Sequence, residues 1–473
     1  MTTVFVTGAN GFIGSHLVKE LLNRGYEVRC LVRPSSDITS LRGLAAALYV
    51  GDVRDPETLV APMKDVDYVY HLAAELMVTS RDAFEQNNTQ GTVNMLEAAE
   101  QHAGPTLKRF LYVSSQAAAG PGETTTALDE IAQPKPISWY GLSKKQAEDA
   151  VNAFADRLPV TIVRPSSVYG EREKDISQAY PLVERRLQPK LGLETKYAVM
   201  VYVGDLVRGF VAAAESGPSL SQTYFLNHPE VLTSKDIVQT MAQAMGRPSG
   251  LLLPVPLSLI RLTAPIAELI YEFTRSRPPM TRDKGREIAQ RFWVADPSKA
   301  KRDFGWEAQL DLLQGMQITT RCFLEAGRQL REMRLEDPTG LWLKYLASAI
   351  LLGGLIEITS ALGRFYSFQP WWAVFLIVFG AFGLGLGTIA MWLRTRSDLL
   401  QFAAGTITAG VVELLNELRL IPFISWTFAP GWPLGITNPW ARSLLLGCAG
   451  GIFILIVNAL MRLLYQRRLR IGS

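Results

Sequence analysis

The chain has 473 residues, with Lys+Arg 48 against Asp+Glu 44 and a formal net charge of +4. That length exceeds one ordinary domain, and so small an excess of positive charge excludes the strong field of a nucleic-acid-binding protein. Its three cysteines, Cys30, Cys322 and Cys448, lie far apart. This spacing excludes a disulfide framework and a cysteine metal site, no metal is expected, and the main body is assigned to a reducing compartment.

The chain opens on TTVFVTGANG, with no basic segment leading into an apolar one, so no secretory leader is expected. The stretch TTVFVTGANGFIGSHLVKELLNRGYEVRCLVR reads as strand, glycine loop, helix and strand, a βαβ unit. Gly8, Gly11 and Gly14 follow a G-x-x-G-x-x-G spacing. In that place a glycine permits the tight turn after the strand, close backbone approach to a pyrophosphate and close packing of helix on sheet. The helix N-terminus adds amide donors and the positive end of its dipole. The second strand ends in Arg33, followed by Ser35 and Ser36. A carboxylate there would repel a ribose 2′-phosphate, whereas a guanidinium pairs with it, so NADP is preferred, with NAD as the alternative. Further on, WYGLSKKQAE sets Tyr140 and Lys144 on one face of a helix. The pair reads either as a proton donor beside a tuning ammonium or as two ordinary surface residues.

The ordered run of TGANGFIGSHL, GDVRD, YHLAAE, NNTQGTVNMLEAA, FLYVSSQAAAG, YGLSK and RPSSVYG, closed by DPSKAKRDFGWEAQ, resembles the extended short-chain dehydrogenase/reductase family. The resemblance spans about residues 3–327. It implies an enzyme, an NAD(P)-dependent oxidoreductase, with a Rossmann-type doubly wound parallel sheet and a small substrate-binding subdomain. It makes Tyr140 the acid/base, Lys144 its partner and ribose ligand, and Ser115 the residue that orients the substrate oxygen; Ser114 is the near alternative. An ordinary tyrosine ionises near ~10, so phenolate at neutral pH requires about 4 kcal/mol of differential stabilisation, assigned to Lys144 and the cationic nicotinamide. The resemblance places cofactor contacts at Gly8, Gly11, Phe12, Ile13, Gly14 and Arg33, then at Asp52 and Val53 beside the adenine. It adds Ala73 and Ala74 at a strand end, Asn88 ordering the nearby loop, and Pro165 near the carboxamide. It also implies a homodimer. His71 is read as structural, since Tyr140 fills the acid–base role.

The nucleotide-binding domain is expected over 1–170, followed by a mainly helical substrate-binding region over 171–327 interleaved with the core. The segment between RPSSVYG and VYVGDLVRGF is short, and Arg185 and Arg186 are its candidates for meeting an anion. The stretch GLLLPVPLSLIRLTAPIAELIYEF is strongly apolar and suits either a core helix or a lipophilic binding wall. The balance resembles the hydroxysteroid dehydrogenase and dihydroflavonol reductase branch. A sterol, isoprenoid or lipid-like hydroxyl or ketone is the expected substrate, with a nucleotide- or lipid-linked sugar epimerase or dehydratase as the alternative.

A charged linker over 328–340 leads into long apolar stretches near 341–362, 371–393, 399–419 and 441–464, each long enough to cross a ~30 Å hydrocarbon core. An all-α four-helix transmembrane domain over 341–473 is therefore expected. Basic residues concentrate at Arg328, Arg331 and Arg334, at Arg394 and Arg396, and at Arg467, Arg468 and Arg470. This bias places the catalytic domain and both termini in the cytoplasm, with the lipid bilayer as partner. GGLIEITSAL and AGVVELLNEL form an internal repeat that sets Glu357 and Glu413 at matching positions. At that depth a carboxylate either faces a polar interior or reaches the outer interface.

Overall fold

The computed structural model describes residues 2–336, apart from 77, 174, 249 and most of 256–280. The chain divides into two compact units, Met1–Ala326 and Gly327–Ser473. The four expected membrane stretches, with Glu357 and Glu413, lie outside the described residues, as does most of the apolar segment 250–273. Among the described residues no helix is long and apolar enough to cross a membrane.

The strands of the first unit are short runs of β-branched and aromatic residues. They are β1 (Thr3–Thr7), β2 (Glu27–Val32), β3 (Ala47–Val50), β4 (Tyr68–His71), β5 (Arg109–Val113), β6 (Val160–Pro165) and β7 (Thr223–Leu226). They form one seven-stranded sheet in the order β7-β6-β5-β4-β1-β2-β3, and every pairing is parallel. The order reverses between β1 and β4, which opens a crevice at their C-terminal ends. Every residue of β1, β5 and β6 is buried, as a sheet covered on both faces requires.

Alternation along the strands feeds the two faces. Val4 and Val6 join one core with Leu17, Val18 and Leu21 of α1 (Phe12–Asn23). Phe5 points the other way, to a core with Met95 and Leu96 of α2 (Gly91–His102) and Ala147 and Val151 of α3 (Trp139–Ala153). Leu206 and Phe210 of α4 (Val203–Glu215) complete the first face. Burying each such large side chain contributes about 1.5–3 kcal/mol.

Among the described residues after 170 helix outweighs strand, and the helices are joined by short strands. This region includes α5 (Arg282–Ala289) and α6 (Leu312–Glu336), and also a parallel pair, Leu187–Leu191 with Leu251–Val255. Three two-residue strands, Leu232–Thr233, Tyr197–Ala198 and Phe292–Trp293, form a further small sheet. Residues 328–336, expected as linker, continue α6. The segment FGWEAQ is tied to α4 by one buried carboxylate. Asp205 Oδ2 accepts the amides of Gln309 at 3.0 Å and Leu310 at 2.9 Å, and Trp306 Nε1 donates to the Asp205 carbonyl at 3.1 Å.

Inside the sheet layer, Arg164 makes a forked pair with Glu148 of α3, Nε to Oε1 at 2.8 Å and a terminal nitrogen to Oε2 at 2.7 Å, both side chains buried. Arg164→Met strands the Glu148 carboxylate and is expected to cost about 3–5 kcal/mol, whereas adding Glu148→Leu recovers most of it. Thermal unfolding of the two variants checks the expectation: equal losses would show that the pair is not coupled.

Candidate active site

The first turn after β1 is built for close approach. Gly8 has φ +68, and a Cβ there would stand 2.9 Å from the Ala73 nitrogen. A Cβ on Gly14 would stand 2.1 Å from the Gly8 carbonyl oxygen, so only glycine lets α1 begin this close to the loop. Gly11 is the N-cap residue of α1 and makes no side-chain cap bond, so the first amides, those of Phe12, Ile13 and Gly14, point outward beyond β1.

On the other side of the crevice, α3 starts at Ser138, whose hydroxyl oxygen accepts the Gly141 amide at 2.9 Å. A Cβ on Gly141 would lie 2.4 Å from the Ala117 carbonyl oxygen. The missing side chain lets the helix lie on the turn after β5, and Tyr140 there has Ser115 as a polar neighbour. Ser115 also caps the short helix Gln116–Ala119 by accepting the Ala117 amide at 3.1 Å. Ser114 points elsewhere and donates to Glu148 Oε1 at 2.6 Å. The Tyr140 ring packs against Phe84, centroids 6.1 Å apart.

Lys144 lies one turn on and is buried. Its Nζ donates to the Val113 carbonyl at 2.7 Å and sits 4.6 Å from the Tyr112 ring centre. Burial lowers its pKa to about 7, with Glu148 opposing. The expected phenolate is not the state this cleft favours by itself. Burial raises the Tyr140 phenol well above its ordinary value and the Glu287 carboxylate adds to that, while the Ser115 hydroxyl pulls the other way. The physical reason is shared burial: the lysine that should supply the stabilising charge is itself pushed towards neutrality.

Asn88 lies in a π-helical turn, Glu85–Gln90, and its side chain joins the two walls. Its Oδ1 accepts the Glu75 amide at 2.7 Å, and its Nδ2 donates to the Glu75 carbonyl at 3.1 Å and to Ser143 Oγ at 2.9 Å. Beneath it runs a buried chain of hydrogen bonds. The Ala73 amide donates to Thr7 Oγ1 at 3.1 Å, and Thr7 Oγ1 stands 2.7 Å from His71 Nδ1. His71 Nε2 is 3.0 Å from Thr92 Oγ1, which donates to the Asn88 carbonyl at 2.6 Å. The Thr92 hydroxyl is used as a donor, so His71 Nε2 must carry the proton and Nδ1 must accept from Thr7. Burial lowers the His71 pKa to about 3, so the ring is a neutral structural link.

The other named positions surround the crevice. Ala73 and Ala74 follow β4, Pro165 ends β6, and Val53 is buried, its carbonyl accepting Asn94 Nδ2 at 2.9 Å. Arg33 is half exposed and pairs with Glu75 at 2.8 Å, and its amide donates to Ser36 Oγ at 3.1 Å. Asp52 is held below the usual carboxylate range by the Arg54 side chain, which bonds it at 2.7 Å. Sequence reasoning missed Gly141, Thr7, Thr92, Asp283 and Glu287. Gly141 carried a signal, a glycine inside a helix where alanine is favoured by about 1 kcal/mol.

Residues 4–224 match the NAD dependent epimerase/dehydratase family. Over 311 residues the chain is 31% identical to a putative dihydroflavonol 4-reductase of Synechocystis, covering 64% of this chain and 89% of that protein. The chain belongs to the NAD dependent epimerase/dehydratase family. It is an oxidoreductase of the extended short-chain dehydrogenase/reductase type. It is also 26% identical over 323 residues to the 4-hydroxy-2-methyl-3-oxo-4-farnesyl-3,4-dihydroquinoline-1-oxide ketoreductase of Stigmatella aurantiaca, covering 66% of this chain and 94% of that protein. The UDP-glucose 4-epimerase of Thermotoga maritima has a similar fold, with a TM-score of 0.57 at 24% identity over 69% of this chain and 99% of that one. The glycine cradle of this family member fits a dinucleotide: a Cβ at Gly8 or Gly14 would fill the space in which backbone meets backbone.

The His71 link gives a pH dependence. In the unfolded chain the ring takes a proton below about 6.5, but the folded ring stays neutral down to about 3. Its contribution is whole above pH 6.5 and is lost as pH falls towards 3, by at most about 1.4 kcal/mol per pH unit. Thermal melts between pH 7.5 and 5 should show this slope, and His71→Gln should flatten it; an unchanged slope would refute the assignment.

Proposed function

We propose that this enzyme is a membrane-anchored, NADP-preferring oxidoreductase acting on a hydroxyl or ketone of a lipophilic molecule. The observation that carries the reading is the seating of α3 on the turn after β5, which groups Tyr140 with Ser115 at the C-terminal edge of the sheet, with Lys144 one turn further along the same helix and bonded to the Val113 carbonyl. Gly8, Gly11, Phe12, Ile13 and Gly14 hold the pyrophosphate, Val53, Ala73 and Ala74 leave room for the adenosine half, and Pro165 borders the nicotinamide half. The nicotinamide, when bound, supplies or accepts the hydride.

In the reducing direction Tyr140 gives its proton to the substrate oxygen, and the protonated form favoured by burial suits it for that. Ser115 donates a hydrogen bond to the same oxygen and fixes its place. Lys144, with a pKa lowered to about 7, exchanges a proton near neutral pH behind the phenol. Arg33 selects the 2′-phosphate. Its pair with Glu75 is solvent-exposed and therefore weak, so a phosphate displaces it readily.

The lipophilic substrate is supported by the farnesyl-bearing substrate in the name of the Stigmatella ketoreductase. Leu193, Leu251 and Leu253 of the substrate region are exposed, and the last two belong to the apolar stretch 250–273 of the sequence. Membrane anchoring and a cytoplasmic catalytic domain rest on the apolar stretches after residue 340 and on the arginines that flank them. The family's name also favours a second reading, epimerisation or dehydration of a linked sugar with cofactor retained.

The test uses the full chain in detergent, with NADPH, NADH and a panel of long-chain and polycyclic ketones. Ketone-dependent NADPH oxidation supports the proposal, and Tyr140→Phe should lower its rate by about 10²–10⁴-fold. Purified protein that carries tightly held cofactor and oxidises no added NADPH would favour the epimerase instead. Arg33→Ala should reduce the preference for NADPH over NADH by about 10-fold or more, the loss of one charged hydrogen bond. An unchanged ratio of kcat/KM values would remove Arg33 from the specificity.

A further inference from the structure

The turn that carries Tyr140 is held by residues far along the chain. Asp283 and Glu287 lie one turn apart on α5 and are both buried. Asp283 Oδ1 accepts the Trp139 amide at 2.8 Å and its Oδ2 accepts the Tyr140 amide at 3.1 Å. Glu287 Oε1 accepts the Ser138 hydroxyl at 2.7 Å, and the oxygen of that hydroxyl accepts the Gly141 amide. The opening amides of α3 are thus satisfied by two carboxylates from another element as well as by the local serine. A serine alone is sufficient to cap a helix. Two buried carboxylates exceed that need, since each has to be compensated.

Compensation is partial and local. On α5 itself, Lys284 bonds Glu287 Oε2 at 2.8 Å, and Arg286 stands 3.5 Å from Asp283 and 5.3 Å from the centre of the Trp139 ring. Asp175 faces Lys284. Around the phenol, Tyr112 of β5 and Lys144 and Glu148 of α3 are the other titratable groups. Among these charges Glu287 is the one that bears on Tyr140, and a negative charge there opposes phenolate.

We propose that Asp283 and Glu287 are positioning residues for the reaction, clamping the first turn of α3 to α5 so that the Tyr140 hydroxyl stays at Ser115. The same clamp brings the Glu287 carboxylate, through its bond to Ser138, to the turn that carries the phenol. This inference rests on Tyr140 being the acid/base, and its test is chosen to stand apart from that reading.

The experiment is a pH titration of the full chain in detergent, saturated with NADP, with ¹³Cζ-labelled tyrosine. The Tyr140 resonance is assigned by its loss in Tyr140→Phe. Glu287→Gln keeps an oxygen for Ser138 but removes the charge, and should lower the Tyr140 midpoint by about one pH unit, tenfold in its ionisation constant. A purely structural carboxylate would not move that midpoint. Asp283→Ala should speed hydrogen exchange at the Trp139 and Tyr140 amides about 10-fold relative to later turns of α3. Where Asp283→Ala does not fold, Asp283→Asn, which retains one acceptor, should speed exchange at one of the two amides. A Glu287→Gln midpoint equal to that of the unaltered protein, or unchanged exchange in the Asp283 variant, overturns the proposal. Full ketone reduction by Tyr140→Phe would instead overturn the acid/base reading and leave the titration result standing.

Discussion

Helix α3 lies against the turn after β5 because residue 141 has no side chain. A Cβ there would sit 2.4 Å from the Ala117 carbonyl oxygen, far inside contact distance. Tyr140, the neighbour of that glycine, is thereby brought to the turn that carries Ser115. A glycine within a helix is unfavourable by about 1 kcal/mol relative to alanine. The local loss is offset by the capping oxygens of Ser138 and Asp283, which accept the amides of Trp139, Tyr140 and Gly141.

Desolvation at this seat decides the electrostatics. A buried phenol and a buried ammonium are both pushed towards their neutral forms. The protein therefore brings Tyr140 and Lys144 into the cleft at reduced charge, each with polar support, Ser115 for one and the Val113 carbonyl for the other. Glu148, one turn beyond Lys144, is held in place because Arg164 grips both its oxygens and Ser114 adds a third bond. A neutral acid next to a lysine that titrates near neutral pH is suited to deliver a proton and recover it.

What could be read from the residues follows from how local the determinants are. The β1–loop–α1–β2 unit was legible because an apolar run, three spaced glycines and a helical period occur within one stretch of sequence. The Ser115, Tyr140 and Lys144 set is an expectation drawn from ordered motifs, and the structure gives Ser115 and Ser114 different partners, the Ala117 amide and the Glu148 carboxylate. The two-residue strands Tyr197–Ala198 and Phe292–Trp293 were not legible, since a period of two cannot show in two residues. The role of Asp283 was hidden for another reason. Its partners are backbone amides 144 and 143 residues away, and a backbone donor leaves no mark on the sequence. The phenol's protonation state was also out of reach, because it depends on depth of burial and not on residue spacing.

The two walls of the crevice are joined before any cofactor arrives. Thr7 and His71 sit at the ends of the strands that flank the switch point, and their hydrogen bonds continue through Thr92 to the Asn88 carbonyl. The Asn88 side chain then bonds the backbone of Glu75 on one wall and Ser143, next to Lys144, on the other. A shift of the loop at Ala73–Glu75 would have to break buried hydrogen bonds, each leaving an unsatisfied group at about 1–3 kcal/mol. The loop at Ala73–Glu75 and the helix that carries Tyr140 are therefore held in one register. The reacting groups need little reorganisation once the site is filled, which is the condition under which fixed dipoles and hydrogen bonds act most strongly on a developing charge.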